Sequence, residues 1–520
     1  MLTPTIQDKH TNGRPRVWKG PADLNSNIEI TFHLRHKHVK DYSEMTFQHP
    51  AQRQYLKHDD FKQAFEIDTQ GVDLLKTFLA NYELSITKAV PEESQVVVSG
   101  SLEALQKAFQ VLFSIYASSD GQLHLGYEGQ LHLPENLAPH IISISGLDKG
   151  LNRGSKSPVS PQEIHENAHK GYSPKDIEAA YNFPENDAEG ECIGLIELGG
   201  DYKASDLKAY CKQFDIPVPE VVEVGTKPKV PANSQQLDNL EVSLDLQLAA
   251  GLAPKSKIVL YYASSIPDAI QLALNDAENQ PSVLSVSWAI SESDMAVADR
   301  ERLDQLCYQA ALKGITIVAA SGDYGAYNNK SYLNVMLPAA NPWVLGCGGT
   351  ASYWSVDYQR VWNSGQGSGS GGGYSAIYPV PGFQQQAISQ YKRYVFPYGN
   401  TGRGVPDVAA NSAPDTPYSI VMNGKMLGIG SGTSASTPVW AALIARLNKK
   451  LGYRLGWLNE LFYKLKDTPA FKSVVNGDNG FFPAAYGWNA ATGLGTPNGV
   501  ELARAISELE KHYPKKDQDQ

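Results

Sequence analysis

The run Cys192-Ile193-Gly194-Leu195-Ile196-Glu197-Leu198 is almost continuously apolar. A strand with one wet face would alternate. A continuous run belongs to a strand covered on both faces, as in a parallel sheet. Outward from it the pattern repeats. Ile258–Ala263, Val283–Trp288, Ile315–Ala320 and Trp343–Cys347 are runs of the same kind, and stretches with helical periodicity separate them at 203–213, 235–250, 267–278 and 296–313. Apolar strands alternating with helices indicate an α/β fold with a doubly wound, mostly parallel sheet. In such sheets functional groups gather beyond the carboxyl ends of the strands. Glu197, Trp288 and Asp323 fall at or just after such ends.

Residues 1–147 read differently. The first ~25 are polar and loose, as chain ends with few apolar residues are. Ile28–Leu34 alternates as a half-buried strand, and a polar helical stretch lies near 50–66. Val72–Tyr82 is an amphipathic helix, Leu84–Thr87 and Val96–Gly100 are short strands, and a helix runs from Ser101 to about Phe113. Strand-like pieces follow at 114–133. The order β, α, β, β, α, β predicts a compact α+β unit of ferredoxin-like kind. Residues 148–173 are poor in apolar residues and rich in Gly, Ser and Pro. They read as an exposed linker, where nicking concentrates. Residues 174–512 hold the large α/β domain, and 513–520 are a polar tail.

The chain has 520 residues and a net charge of −10. An acidic balance argues against a nucleic-acid footprint. No run of about 18 apolar residues predicts a membrane span. The N-terminus lacks the apolar core of a secretory signal, which implies a cytosolic protein or another export route. Cys192, Cys211, Cys307 and Cys347 form no CxxC pair and read as small buried hydrophobes. The twelve histidines all precede residue 170 except His512. Acid therefore charges residues 1–169, either as a switch or merely as a solvated surface.

Gly430-Ser431-Gly432-Thr433-Ser434 leads into an apolar helical run beginning at Val439. A serine at a helix mouth sits beside unpaired backbone N–H groups, which favour an anion. The stretch reads either as an N-cap or as a nucleophile beside an oxyanion site. No histidine stands between residues 170 and 511 to activate it. Carboxylates offer an alternative. Glu241 and Asp245 share one face of the helix at 235–250, beside the stripe Leu237, Leu240, Leu244 and Leu248. They are either a solvated acidic face or a base and its orienting partner. Asp323, in the stretch AASGDYG, is either a turn residue or a neutral acid that donates to an oxyanion. The loop at 364–375, SGQGSGSGGGYS, is a flexible surface loop or a cleft wall built for close backbone approach.

Several blocks, in order, resemble the sedolisins, the serine-carboxyl peptidases, and among them the kumamolisin-like members: GYSPKDIEAAYNFP, CIGLIELGG, EVSLDLQLAAGLAPKSKI, SVLSVSW, AASGDYG, GRGVPDVA, SGTSASTP and GWNAATGLGTP. The resemblance spans about residues 28–510. It implies a subtilisin-like catalytic domain preceded by a propeptide that inhibits it in cis until cut within 148–173. By motif, Ser434 is the implied nucleophile, Glu241 the base and acid, Asp245 its orienting partner and Asp323 the oxyanion donor. Glu197 and Trp288 match positions that extend the network around the base. The implied activity is acid-acting endopeptidase cleavage of polypeptides through an acyl-enzyme, with self-processing, no nucleic-acid or membrane partner and an extracellular place. The alternative is a silent relative that only binds proteins, which would be expected to lack one of the four catalytic residues. The chemistry needs no cofactor. The family's structural calcium is doubtful here, because the matching loop positions are Ser473, Val474, Gly487 and Asn489, and the two expected carboxylates are gone. Calcium favours several charged oxygens.

Overall fold

The computed structural model describes residues 17–36, 43–65, 68–90, 94–117, 123–147, 171–230, 234–352, 358–365, 367–391 and 402–512. These form two compact units that interleave along the chain. One falls within Met1–Asp41, Leu56–Arg153 and Ser293–Leu306, and the other within Tyr42–Tyr55, Gly154–Glu292 and Cys307–Gln520. Most of the linker expected at 148–173, and the tail at 513–520, lie outside the described residues.

The first unit contains β1 (Asn27–Leu34), α1 (Thr69–Ala80), β2 (Ser85–Val90), β3 (Gln95–Ser101), α2 (Leu102–Phe109) and β4 (Ile141–Ser145). Side chains start both helices: Asp68 accepts from the Gln70 N–H, and Ser101 from the Ala104 N–H. Such caps satisfy donors the helix leaves open. The antiparallel sheet runs β2–β3–β1–β4, the ferredoxin-like order. Phe32, Leu75, Val98, Leu105, Phe109 and Ile141 are each at most 2% exposed. Each such burial contributes about 1.5–3 kcal/mol.

The fourth strand differs from the sequence expectation. Strands near 114–133 are present, but Leu112–Ala117 pairs with Val17–Pro21 on one side and Leu123–Glu128 on the other, in a separate three-stranded sheet. The strand that completes the ferredoxin-like sheet is Ile141–Ser145, five residues long and beside the expected linker. Pairing of a short strand is decided by partners distant in sequence, which local periodicity does not report.

The second unit is built on an eight-stranded sheet. Its strands are β5 (Cys192–Glu197), β6 (Val221–Gly225), β7 (Lys257–Tyr262), β8 (Val283–Val286), β9 (Thr316–Ala320), β10 (Leu345–Ser352), β11 (Gln359–Val361) and β12 (Val408–Asn411). The order is β11–β10–β9–β8–β5–β7–β6, with β12 also on β10. Every pairing is parallel except that of β11. Every residue of β5 is buried, as its continuous apolar run demands. Two helices matter for the site. The helix α3 (Gln235–Leu252) packs on β5 and β7, and α4 (Thr433–Leu451) packs on α3 and on β8, β9, β10 and β12. Strand order reverses at β5, whose neighbours β7 and β8 lead to opposite edges. The carboxyl ends of β5, β8 and β9 therefore open at a topological switch point. All four cysteines are buried thiols.

His36, in the first unit, joins two segments. Its Nδ1 lies 2.8 Å from the Phe65 carbonyl and 3.0 Å from Ser94 Oγ, and its ring meets Phe65 edge-on. Burial holds its pKa below the ordinary 6.5, against the raising effect of the Phe65 carbonyl. The folded ring is thus harder to protonate than the unfolded one. Its contribution is complete above the unfolded value and is lost as pH falls below about 6.5 toward the folded pKa. Amide exchange at Leu34–His36, corrected for intrinsic rates, should rise between pH 7 and 5. His36→Gln should flatten that rise.

Candidate active site

Asp323 and Ser434 stand where elements end or begin, and Glu241 and Asp245 stand inside α3. Gly432, at φ +88°, turns the chain into α4. A Cβ there would stand 2.9 Å from Asp323 Oδ2, so the carboxyl's approach requires a glycine. Thr433 follows as the first residue of α4. Its backbone N–H donates to Asp323 Oδ1 at 2.7 Å and its hydroxyl donates to the same oxygen at 2.6 Å. That hydroxyl also accepts from the Gly322 N–H at 3.2 Å. The turn after β9 is thereby tied to the helix mouth.

Ser434 comes next. It is 8% exposed, and its Oγ donates to the Ser287 carbonyl at 3.4 Å. Ser287 Oγ donates back to the Ser434 carbonyl at 3.3 Å. Glu241, Asp323 and Ser434 line one pocket. Leu237, Leu240, Leu244 and Ile429 help complete that pocket, and the same three residues also line a second one with Ala289 and Tyr324. Asp245 lies one turn along α3 from Glu241 and is fully buried, as are Glu241 Oε1 and both Asp245 oxygens. The helix is buried over most of its length, so a solvated acidic face does not describe it.

Glu197 and Trp288 meet each other: the indole N–H donates to Glu197 Oε2 at 3.1 Å, and both side chains are buried. Neither is among the described residues that line the pocket. Beside Glu197, burial first and then that carboxylate's charge push the Tyr262 phenol well above its ordinary pKa.

Two features escaped sequence reasoning, and a third settles between two readings. Thr433 acts as a double donor, visible in sequence only as the residue before the serine. The leucine stripe of α3 lines the pocket at its N-terminal end instead of being wholly core. The glycine-rich loop lies against the Asp323 turn, where Gly369 N–H donates to the Asp323 carbonyl at 2.8 Å and Gly371 N–H to the Gly322 carbonyl at 2.7 Å. Of its two readings, close backbone approach is the one observed.

Neutral groups make the contacts at the positions matching the family's calcium loop. Ser473 Oγ accepts from the Gly487 N–H at 3.0 Å. The Asn489 amide nitrogen donates to the carbonyls of Val474 at 3.4 Å and Ala485 at 3.2 Å. Its Oδ1 accepts from the N–H groups of Ala491 at 3.1 Å and Thr492 at 2.9 Å, and from the Thr492 hydroxyl at 3.1 Å. Carbonyls that would face a cation face an N–H donor, and no carboxylate joins them. This donor set does not fit calcium. Among the described residues no group of three or more His, Cys, Asp or Glu is placed to hold a metal.

A family model described as the pro-kumamolisin activation domain matches residues 17–149, and one described as the subtilase family matches residues 231–488. Kumamolisin of Bacillus sp. (strain MN-32) is 33% identical, over 94% of this chain and 93% of that protein. Tripeptidyl-peptidase 1 of Bos taurus is 25% identical, over 94% of this chain and 93% of that protein. Among solved structures, Pseudomonas sedolisin (serine-carboxyl proteinase) complexed with two molecules of pseudo-iodotyrostatin matches with a TM-score of 0.57 and 27% identity, over 66% of this chain and 100% of that one.

Two outcomes follow for the loop. Chelator should leave the melting temperature of the chain unchanged within about 1 °C; a fall would show a bound ion contributing by mass action. Asn489→Ala should cost about 2–4 kcal/mol in chemical denaturation, because several buried donors and acceptors lose their partner together.

Proposed function

The chain belongs to the sedolisin family of serine-carboxyl peptidases, as a kumamolisin-like zymogen with an activation segment, and we propose that it cleaves polypeptides through Ser434, Glu241, Asp245 and Asp323. The observation that carries this reading is the convergence of Glu241, Asp323 and Ser434 on one pocket at the mouth of α4.

In the proposed reaction Ser434 Oγ attacks the scissile carbonyl while Glu241 accepts its proton. The carbonyl oxygen becomes an oxyanion. Asp323 stabilises it by donating from Oδ2, since Oδ1 already accepts two hydrogen bonds from Thr433. Glu241 then protonates the leaving amine as the C–N bond breaks, leaving an acyl group on Ser434. Water attacks the acyl carbon, Glu241 takes the water's proton and returns it to Ser434 Oγ, and the acid product departs. Asp245 orients Glu241 throughout, as the third member of a triad does. Glu197 and Trp288 support the carboxylate environment at the end of β5. The activation segment inhibits the enzyme in cis until its linker is cut by the enzyme itself.

Asp323 donates only as a neutral acid, so kcat/KM should fall as pH rises and that proton is lost. Casein digestion from pH 3 to 7 measures this. Asp323→Asn, whose amide donates at every pH, should lower the rate but move the alkaline limb upward; an unmoved limb rejects the donor role. Ser434→Ala or Glu241→Gln should lower kcat by at least ~10⁴-fold. Either variant should leave the 56.7 kDa chain uncut. Normal processing in either one refutes the assignment.

A further inference from the structure

Residues 43–55 lie inside the stretch matched by the activation-domain model, yet they pack in the unit that holds the eight-stranded sheet. Arg53 is the anchor. It is 9% exposed, and its guanidinium donates to four carbonyls: Nη1 to Leu455 at 3.1 Å and to Trp457 at 2.7 Å, Nη2 to Thr46 at 3.0 Å, and Nε to Gln48 at 3.0 Å. The rigid fork of five donors is what lets one side chain hold two segments at once. Tyr55 adds a second grip. Its hydroxyl donates to the Leu455 carbonyl at 2.9 Å. A Cβ on Gly314 or on Gly456 would come within 2.6 Å of Tyr55, so the two glycines form a seat that no larger residue would leave open. His49, 1% exposed, sets its ring edge-on to Tyr453 at 6.2 Å.

The seat stands apart from the chemistry. The loop of Leu455 and Trp457 follows the C-terminal end of α4, whose second residue is Ser434. At 1.5 Å per residue the two ends of that helix are roughly 26 Å apart. A grip there need not be broken by substrate entering the pocket or by a cut in the linker, about a hundred residues further along the chain.

We propose that the 452–457 loop, with Gly314, is an exosite for residues 43–55 of the activation segment, and that it keeps hold of the N-terminal fragment after the 148–173 linker has been cut. The proposal rests on the zymogen reading for the cut itself, and the test supplies that cut from outside. A site-specific protease sequence is inserted within 148–170 of the full chain carrying Ser434→Ala. The chain is cut at neutral pH and passed over a size-exclusion column. The two fragments should co-elute. Arg53→Met combined with Tyr55→Ala should separate them, with the dissociation constant raised about 100-fold or more. Arg53→Lys, which keeps charge and stem but loses the fork, should raise it about 10-fold. Melting of the uncut variants reports folding separately, and Arg53→Lys carries the test if the double variant fails to fold. Separation of the unmutated fragments, or equal retention in the variants, overturns the exosite. Absence of self-processing in the chain with its native serine would count against the proposed function alone.

Discussion

Two hydrogen bonds from Thr433 into one oxygen of Asp323 fasten the turn after β9 to the first turn of α4. Without that clamp the Asp323 turn would lose this tie to the first turn of α4, which carries Ser434. With it, the donor proposed for the oxyanion is set by the same residue that precedes Ser434, the proposed nucleophile. The clamp in turn needs Gly432, because only a residue without Cβ leaves room for the second carboxyl oxygen. The small residues around Ser434 are a packing requirement before they are a catalytic one.

The sheet supplies the rest of the geometry. Its order reverses at β5, so the ends of β5, β8 and β9 face one region, which α3 and α4 flank. A helix as buried as α3 places two carboxyls one turn apart in a setting where two charges would repel at low dielectric. A proton shared between them would remove most of that cost and would suit a group proposed to take and return a proton. The same burial that makes the pair unfavourable to folding makes it useful to the proposed chemistry.

The fold was legible where its cause was local. Continuous apolar runs marked the parallel strands, and helical periodicity placed α3 within two residues of its observed end. The site was legible through residue type: a serine before a helix, no histidine to serve it, and paired carboxyls beside an apolar stripe. What remained hidden depends on distant partners. Ile141–Ser145 is a strand because β1 is there to pair with it. Thr433 is a clamp because Asp323 arrives from 110 residues away. The place of Arg53 is set by carbonyls of Leu455 and Trp457, about 400 residues further on. No periodicity carries such information.

Asn489 holds the loop from Val474 to Thr492 with an amide. A cage of carboxylates around a cation weakens as its ligands take up protons, and metal binding is coupled to pH for that reason. An amide has no proton to gain or lose across the range where carboxylic acids titrate. The hydrogen bonds that Asn489 makes are therefore the same in acid as at neutral pH. The acid medium proposed to favour the carboxyl chemistry leaves this brace untouched.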